Sequence, residues 1–428
     1  MKHLASAALL ALWLGTAHAQ LRLPSLPSLP SVPSVPAPTL PSPATPPLRA
    51  DTAPLAELVQ QRRQRIARLL QQRSDVLEPD PAGQPAVRGQ MVLDSPSAAL
   101  LAAARAEGFT VVGERTLAAF DMRLVTLRAP PGWDTPRAMA RLRELDPQLS
   151  VDHNHLYLES GDTAEPAPSV AVPRGADTGP FKVGLIDGGV DTGHALLRDA
   201  AVRTWGCGGR TVQSAHGTAV ASLLVGRATR FRSAAPAATL YAADVYCGEP
   251  TGGSVEAVAA ALAWLAGEQV AVVNISLVGP DNRLLARVVQ RATARGMLLV
   301  AAVGNDGPAA APLYPAAYPG VVAVTAVDAR GRVLPEAGRG EHVAFAAPGA
   351  HMAVAAPGTP QYATARGTSY AAPLVAGLLA AALQRPDAGT ATLAVAVLAR
   401  QATDLGTPGR DAVYGHGLVA RDLRTDPR

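Results

Sequence analysis

The sequence predicts an α/β protein in two folded units, a large one on a mainly parallel sheet and a small α+β one before it. From Phe181 onward, short and almost wholly apolar strands ("KVGLID", "TLYAADVY", "VAVVNISL", "MLLVAAVGN", "VVAVTAV") alternate with helical stretches. Strands apolar on both sides are expected where helices cover both faces of a parallel sheet. Residues 86–160 alternate in a different order, and a Pro-, Gly- and Ala-rich stretch, 161–180, separates the two textures. The chain of 428 residues is 48% apolar, enough to bury more than one core. With aromatics at 4%, those cores must be built from Ala, Val and Leu.

The first twenty residues, "MKHLASAALLALWLGTAHAQ", place Lys2 before an apolar stretch from Leu4 to Leu14 and end on Ala17-His18-Ala19. That is the layout of a secretory signal peptide, residues 1–19, with cleavage expected after Ala19. No later segment reaches roughly 18 uninterrupted apolar residues, so no membrane association is expected once the signal is removed. Residues 20–52 repeat Pro-Ser-apolar triplets and read as an extended spacer. Residues 53–85 form a charged helical segment, with a helix from about Ala53 to Arg73. Leu58, Val59, Ile66, Leu69 and Leu70 give it a partial apolar face, and its arginines are expected on a solvated face.

Residues 86–160 then read strand ("AVRGQMVLD"), helix ("PSAALLAAARAEGF"), two strands ("TVVGERTLAAFDMRLVTLRA"), helix ("TPRAMARLREL") and strand ("LSVDHNHLYLES"). The order β-α-β-β-α-β is the ferredoxin-like arrangement. The large unit is expected over 181–420, followed by a polar tail, 421–428. The balance of 38 basic and 34 acidic residues leaves +4, with no run of five basic residues, so no nucleic-acid partner is expected. Export to an oxidising compartment permits a disulfide between Cys207 and Cys247, the chain's two cysteines; two free thiols are the alternative.

Four side chains of the large unit stand at junctions. Asp187 ends an apolar strand before a glycine turn in "VGLIDGGVDTGH". His216 precedes a helical run in "SAHGTAVASLLVG", and Asn305 lies in the glycine turn of "LLVAAVGNDGP". Ser369 stands at a helix mouth in "GTSYAAPLVAG". Singly each has an ordinary explanation: a strand-end acid, a packed histidine, a turn former and an N-cap. Together they supply what nucleophilic acyl transfer needs. The hydroxyl requires a base to take its proton, and imidazole is that base near neutrality. A carboxylate orients the imidazole, and an amide N–H beside the serine backbone N–H can hold the oxyanion. The order Asp…His…Ser and the absence of a G-x-S-x-G elbow oppose an esterase or lipase of the α/β-hydrolase type.

From about Phe181 to Ala420 the chain resembles the subtilisin-like serine endopeptidases, or subtilases. "VGLIDGGVDTGH", "HGTAVASLLVG", "VVNISL", "VAAVGNDG", "YPAAYPGVVAVTAVD" and "GTSYAAPLVAG" match the family's blocks in sequence. The resemblance implies a three-layer subtilisin-like catalytic domain with Asp187, His216 and Ser369 as triad and Asn305 in the oxyanion hole. It implies Ser276, Leu277, Val278 and Gly279 as the substrate-binding strand, with Ala301, Ala302 and Gly304 as a further pocket wall. Val278 and Leu313 stand where smaller residues are usual, so a shallow pocket for small or medium apolar side chains is expected. Tyr370 and Leu374 also depart from the family's usual Met and His, at positions the proton transfers do not use.

Residues 86–160 then take the place of a subtilase propeptide, chaperone and intramolecular inhibitor, with processing near Ser160 or within the linker. The expected protein is a secreted or periplasmic zymogen, a monomer acting on peptide or protein substrates. No cofactor is expected for catalysis; structural calcium is compatible with the family, but no sequence cluster locates it. A catalytically silent relative that binds peptides in the same cleft is the alternative.

Overall fold

The computed structural model describes residues 52–160, 180–358 and 362–426. The signal peptide, the spacer to residue 51 and residues 161–179 of the linker lie outside the described residues.

Helix α1 (Thr52–Gln72) ends within a residue of its expected limit, but the segment after it is not helical. Strand β1 (Leu77–Pro79) pairs antiparallel with β2 (Pro85–Asp94), Leu77 opposite Val87. A small apolar cluster explains the departure: Leu77 and Val87 are buried with Leu156, and Leu69 and Leu70 of α1 pack on them. Next come α2 (Ala98–Ala106), β3 (Thr110–Leu117), β4 (Met122–Arg128), α3 (Thr135–Leu145) and β5 (Val151–His155). The sheet order is β5-β2-β4-β3, every pair antiparallel. Ser97 caps α2 and Asp134 caps α3, each accepting a backbone N–H, a contact worth about 1 kcal/mol. One sheet face buries Met91, Leu93, Val125 and Leu127 against both helices through Leu101 and Leu142.

The chain continues through a two-residue strand, β6 (Leu158–Glu159), into the large unit. Its strands in chain order are β7 (Lys182–Asp187), β8 (Ala201–Trp205), the hairpin β9 (Arg227–Ala228) and β10 (Phe231–Arg232), and β11 (Thr239–Asp244). They continue as β12 (Val272–Ile275), β13 (Leu277–Val278), β14 (Leu298–Ala302), β15 (Val322–Val327), β16 (Val343–Pro348), and the hairpin β17 (Met352–Val354) and β18 (Ala363–Ala365). Seven form one parallel sheet in the order β16-β15-β14-β12-β7-β11-β8. Helices α4 (Ala215–Val225), α7 (Ala372–Ala382) and α8 (Ala388–Gln401) cover one face, and α5 (Val255–Gly267) and α6 (Arg283–Ala294) the other. The strand residues alternate between two cores. Val183, Val272 and Val300 join α4 and α7, while Ile186, Val273 and Leu299 join α5 and α6. That alternation is why the strands read as unbroken apolar runs.

The second face of the small sheet sits on α5 and α6. Val92, Leu117, Phe120 and Leu124 share a core with Val258, Leu262 and Val288. Acids meet helix starts along this seam, where a negative charge faces exposed backbone N–H groups. Asp152 Oδ2 accepts the Arg283 N–H at 2.9 Å. Thr126 Oγ1 donates to Glu256, in the first turn of α5, at 2.7 Å. The polar end of the chain is tied down: Thr425 O accepts from Ala353 N and Thr425 Oγ1 from Arg232 N, both at 3.1 Å.

Candidate active site

Asp187 is the last residue of β7, where hydrogen bonding to the sheet ends and the chain turns on two glycines. His216 lies in the first turn of α4, a helix buried along its whole length and capped by Ser214. Gly217 lets that helix approach the turn, since a Cβ there would lie 2.2 Å from the Gly188 carbonyl oxygen. The two side chains meet in the gap: His216 Nδ1 stands 2.8 and 3.0 Å from the Asp187 carboxylate oxygens. Both are almost completely buried.

Ser369 sits in a 3₁₀ turn, Thr368–Tyr370, ahead of α7, with Pro373 in the first turn of the helix. The N-cap position is Ala371, which offers no side-chain bond, so the ordinary explanation of Ser369 as a helix cap fails. Its hydroxyl donates to the Ser276 carbonyl at 3.2 Å, while Ser276 Oγ donates to the Ser369 carbonyl at 3.0 Å. The Ser369 hydroxyl thus has its hydrogen bond on a backbone carbonyl, where the sequence leads one to expect the His216 ring. His216 Nε2 is buried and has no well-aligned partner among the described residues. The neighbouring Tyr370 ring lies 5.7 Å from the imidazole. Asn305 is fixed through its carbonyl, which accepts the Thr368 N–H at 3.0 Å, and its Nδ2 donates to Ser160 Oγ at 3.0 Å.

Ser160 belongs to a segment lying in the cleft. Strand β6 pairs antiparallel with β13, Leu158 opposite Val278 and Glu159 opposite Leu277, and Ser160 N donates to the Ser276 carbonyl at 3.3 Å. Upstream, Tyr157 N donates to Gly253 O, and Tyr157 O accepts from the Tyr246 hydroxyl, both at 2.8 Å. The Tyr157 ring is fully buried over Gly279, where a Cβ would lie 2.6 Å from it, and its hydroxyl donates to Pro280 O. Glu159 accepts from Ser214 Oγ at 3.0 Å. Gly279, the last residue of the expected substrate-binding strand, exchanges backbone bonds with Tyr314 at 2.9 and 3.0 Å.

Gly304 has φ +93°, and a Cβ there would strike Leu313 Cδ1 at 2.5 Å and stand 3.6 Å from Val278 Cγ1. Leu313 and Val278 thus converge on one wall. The Ala301 and Ala302 side chains point into the two sheet cores, so what they can offer a guest is backbone only.

Charges crowd this end of the sheet. Burial alone lowers the His216 pKa, but the Asp187 charge, the Glu159 charge, the Asp187 hydrogen bond and the Ser160 backbone outweigh it and raise it to about 9. Burial pushes the Glu159 carboxyl up, with nearby Asp187 adding to the effect and His216 opposing it. Asp244 is also raised, chiefly by burial. Cys207 and Cys247, in the loops after β8 and β11, are joined, with Cα atoms 5.2 Å apart. Glu159, Asp187 and His216 lie close enough to share an ion, as do Asp152, His153 and His155. Neither group is the oxygen-only set that calcium prefers.

Three contacts escaped the sequence reading. Tyr157 and Glu159 fill the cleft, although their strand is visible in the sequence only as the end of the small unit. Arg62 of α1 is not on a solvated face: its side chain is only 9% exposed and pairs at 2.9 Å with Asp306, directly after Asn305. The one signal for that pair was an acid beside a candidate oxyanion residue and an arginine-rich helix upstream.

The large unit is similar to known proteins. A family model described as the Subtilase family matches residues 179–417. Subtilisin Savinase of Lederbergia lenta is 34% identical over 258 residues, covering 59% of this chain and 93% of that protein. Minor extracellular protease Epr of Bacillus subtilis (strain 168) is 34% identical over 207 residues, 48% of this chain; the match spans only 32% of Epr's own length. Fervidolysin from Fervidobacterium pennivorans shares the fold, with a TM-score of 0.66 at 20% identity, covering 81% of this chain and 62% of fervidolysin.

Proposed function

The chain belongs to the subtilase family of serine peptidases, and we propose that it is a secreted endopeptidase made as a self-processing zymogen. In this proposal residues 1–19 direct export, and residues 86–160 assist folding and block the cleft. Asp187, His216 and Ser369 form the triad, with Asn305 in the oxyanion hole. The observation that supports it most is the course of Leu158–Ser160: an extended segment runs along β13 as a substrate strand would, and its end reaches Asn305. Pairing with an exposed strand edge is a general way to hold an extended peptide.

Catalysis starts with rotation of the Ser369 side chain from the Ser276 carbonyl towards His216 Nε2. The imidazole takes the hydroxyl proton as Oγ attacks the carbonyl of the residue preceding the scissile bond. Asn305 Nδ2 and the Ser369 N–H hold the oxyanion, and Asp187 stabilises the imidazolium. The imidazolium returns its proton to the leaving amine, and water, deprotonated by the same ring, releases the acyl group from Ser369. In this reading the first cut in the uncut chain falls near Ser160 or within the following linker, so the first turnover separates the prosegment.

Mass spectrometry of the exported protein tests the proposal. Wild type should lose everything up to about Ser160 or the following linker and take up a fluorophosphonate on Ser369. Ser369→Ala should remain full length after signal removal and take up no label. An unlabelled wild type would leave a peptide-binding protein with the same fold, and a mature N-terminus before residue 100 would refute the prosegment assignment.

A further inference from the structure

Beside the Asp187–His216 pair lies a cavity of about 660 Å³, bordered by Glu159, Ser214, His216 and Asp244. Three carboxylates gather round one imidazole at this corner. Asp187 and Asp244 end the neighbouring parallel strands β7 and β11 in register, and Glu159 enters on the segment paired with β13. Arg73 also borders the cavity, but its ion pair is with Asp75, at 3.8 Å. Two polar atoms here are buried without a partner among the described residues. Asp244 Oδ1 accepts the Tyr246 and Cys247 N–H groups at 3.0 and 2.9 Å, whereas Oδ2 accepts nothing. His216 Nδ1 faces Asp187, so Nε2 points away on the other side of the ring, and it too is unpartnered. The two residues are 8% and 1% exposed.

An imidazole that gives one N–H to a carboxylate presents the lone pair of its other nitrogen, the arrangement in which histidine usually binds a transition ion. Glu159, Asp187 and His216 each bring a ligand atom within 4.8 Å of the others. Glu159 Oε1 accepts from Ser214 Oγ at 3.0 Å, which leaves the second carboxylate oxygen to reach an ion. Zinc binds imidazole nitrogen and carboxylate oxygen at about 2.0–2.2 Å in a tetrahedron, so a shift of about 1 Å in Glu159 closes the set. The group at Asp152, His153 and His155 is already committed. There His155 Nε2 meets Asp80 at 3.1 Å and Nδ1 accepts from Asn282 Nδ2 at 3.0 Å, so a metal would have to displace one of these bonds. Burial lowers the His216 pKa, yet Asp187 and Glu159 lift it to about 9. The same anions attract a dication more strongly than a proton.

We propose that Glu159 and His216 Nε2 bind a zinc-type divalent cation in the uncut chain, with Asp187 behind the ring and Asp244 adding charge, and that the ion holds back the first cut. The site itself stands on this geometry, while its effect on processing rests on the endopeptidase reading. The ion takes the lone pair that must accept the Ser369 proton, so the loaded precursor has no base. Binding releases the ring proton, and affinity therefore grows as the pH rises. Departure of Glu159 with the prosegment removes a ligand, so the mature enzyme binds the ion more weakly than the precursor does.

The test starts from metal-free Ser369→Ala precursor, which stays uncut, titrated calorimetrically with Zn²⁺ at about pH 8, where fewer protons compete for the ring. A site of one ion per chain should appear. Adding Glu159→Gln should weaken it by at least about tenfold, and adding His216→Ala should weaken it as much. In the wild-type precursor, Zn²⁺ at about ten times the measured dissociation constant should slow self-processing about tenfold. A chelator should restore the rate, and Glu159→Gln should process within about twofold of its own rate with or without the ion. Absence of binding by the Ser369→Ala precursor overturns the proposal, and so does equal binding by its Glu159→Gln or His216→Ala form. Binding that leaves the first cut at its normal rate also overturns it. A wild-type precursor that never cuts itself, with or without zinc, overturns the endopeptidase assignment instead, and the titration still decides the site.

Discussion

The two ends of the cleft are held by different means. At one end Asp187 and His216 meet through groups that all belong to the catalytic unit, 29 residues apart and buried from solvent. At the other, Asn305 and Asp306 are engaged by Ser160 and Arg62, both from the segment upstream. On the proposed assignment the first arrangement uses no group of the prosegment, whereas the second would be lost with it. On the proposed assignment, inhibition by the upstream segment would leave the base and its carboxylate assembled and occupy the place where charge must develop.

Ser369→Ala and His216→Ala should break the comparison most completely, lowering peptide hydrolysis by about 10⁴-fold or more and abolishing self-processing. Turnover within tenfold of wild type would remove that residue from the triad. Asn305→Ala should lower kcat by about 10²–10³-fold with little change in KM, because the amide acts on the developing oxyanion. A change confined to KM would make Asn305 a binding group only.

The disulfide lies at the Asp187 end, closing a span of 40 residues. Replacing both Cys207 and Cys247 by Ala should lower unfolding free energy by about 2–4 kcal/mol in denaturant titration. An unchanged midpoint would mean that this end needs no tether.

The smallest effect concerns Glu159, the prosegment acid that reaches towards the histidine from across the cleft. His216 is raised from 6.5 to about 9 in the uncut chain. Its folded value exceeds its unfolded one, so the stability it contributes is complete below about 6.5 and is lost as the pH rises through about 9. The neutral ring that can accept a proton is therefore scarce at neutral pH, and self-processing should accelerate up to about pH 9. In Glu159→Gln the midpoint of that rise should fall by about half a unit to one unit, since one of the anions holding the proton is gone. The mature enzyme, which keeps Asp187 but loses Glu159 and the Ser160 backbone, should show its lower limb below that of the precursor. An identical midpoint for the Glu159 variant and wild-type precursors would exclude Glu159 as a contributor.

The same contrast explains what could be read from the sequence. The parallel sheet was legible because strands buried on both faces must be continuously apolar, as "VVNI" and "LLVAA" are. The small unit was legible in its alternation of strand and helix. Asp187, His216, Asn305 and Ser369 stood out because each lies at a junction in a patterned, glycine-bearing segment. Strand β1 was missed because its one buried apolar side chain, Leu77, looks like the end of a helical stripe. Arg62 was missed for a physical reason: a buried arginine on an amphipathic helix has the same neighbours in sequence as a solvated one. Only the distant Asp306 distinguishes them. The Ser369 hydroxyl likewise rests on a carbonyl 93 residues away, through a rotamer that no local pattern encodes.

The pairing of β6 with β13 bears on which proteins this one can digest. A two-residue strand edge is matched only by a guest whose own amides are unattached, and a helix or an interior strand has none to give. Well-folded targets must first fray or open locally before they can enter, at a frequency set by their own opening free energy. Digestion of a compact protein should then track how often that target loosens, with ragged termini and long surface loops lost first. Raising the temperature would accelerate it more steeply for folded proteins than for short peptides.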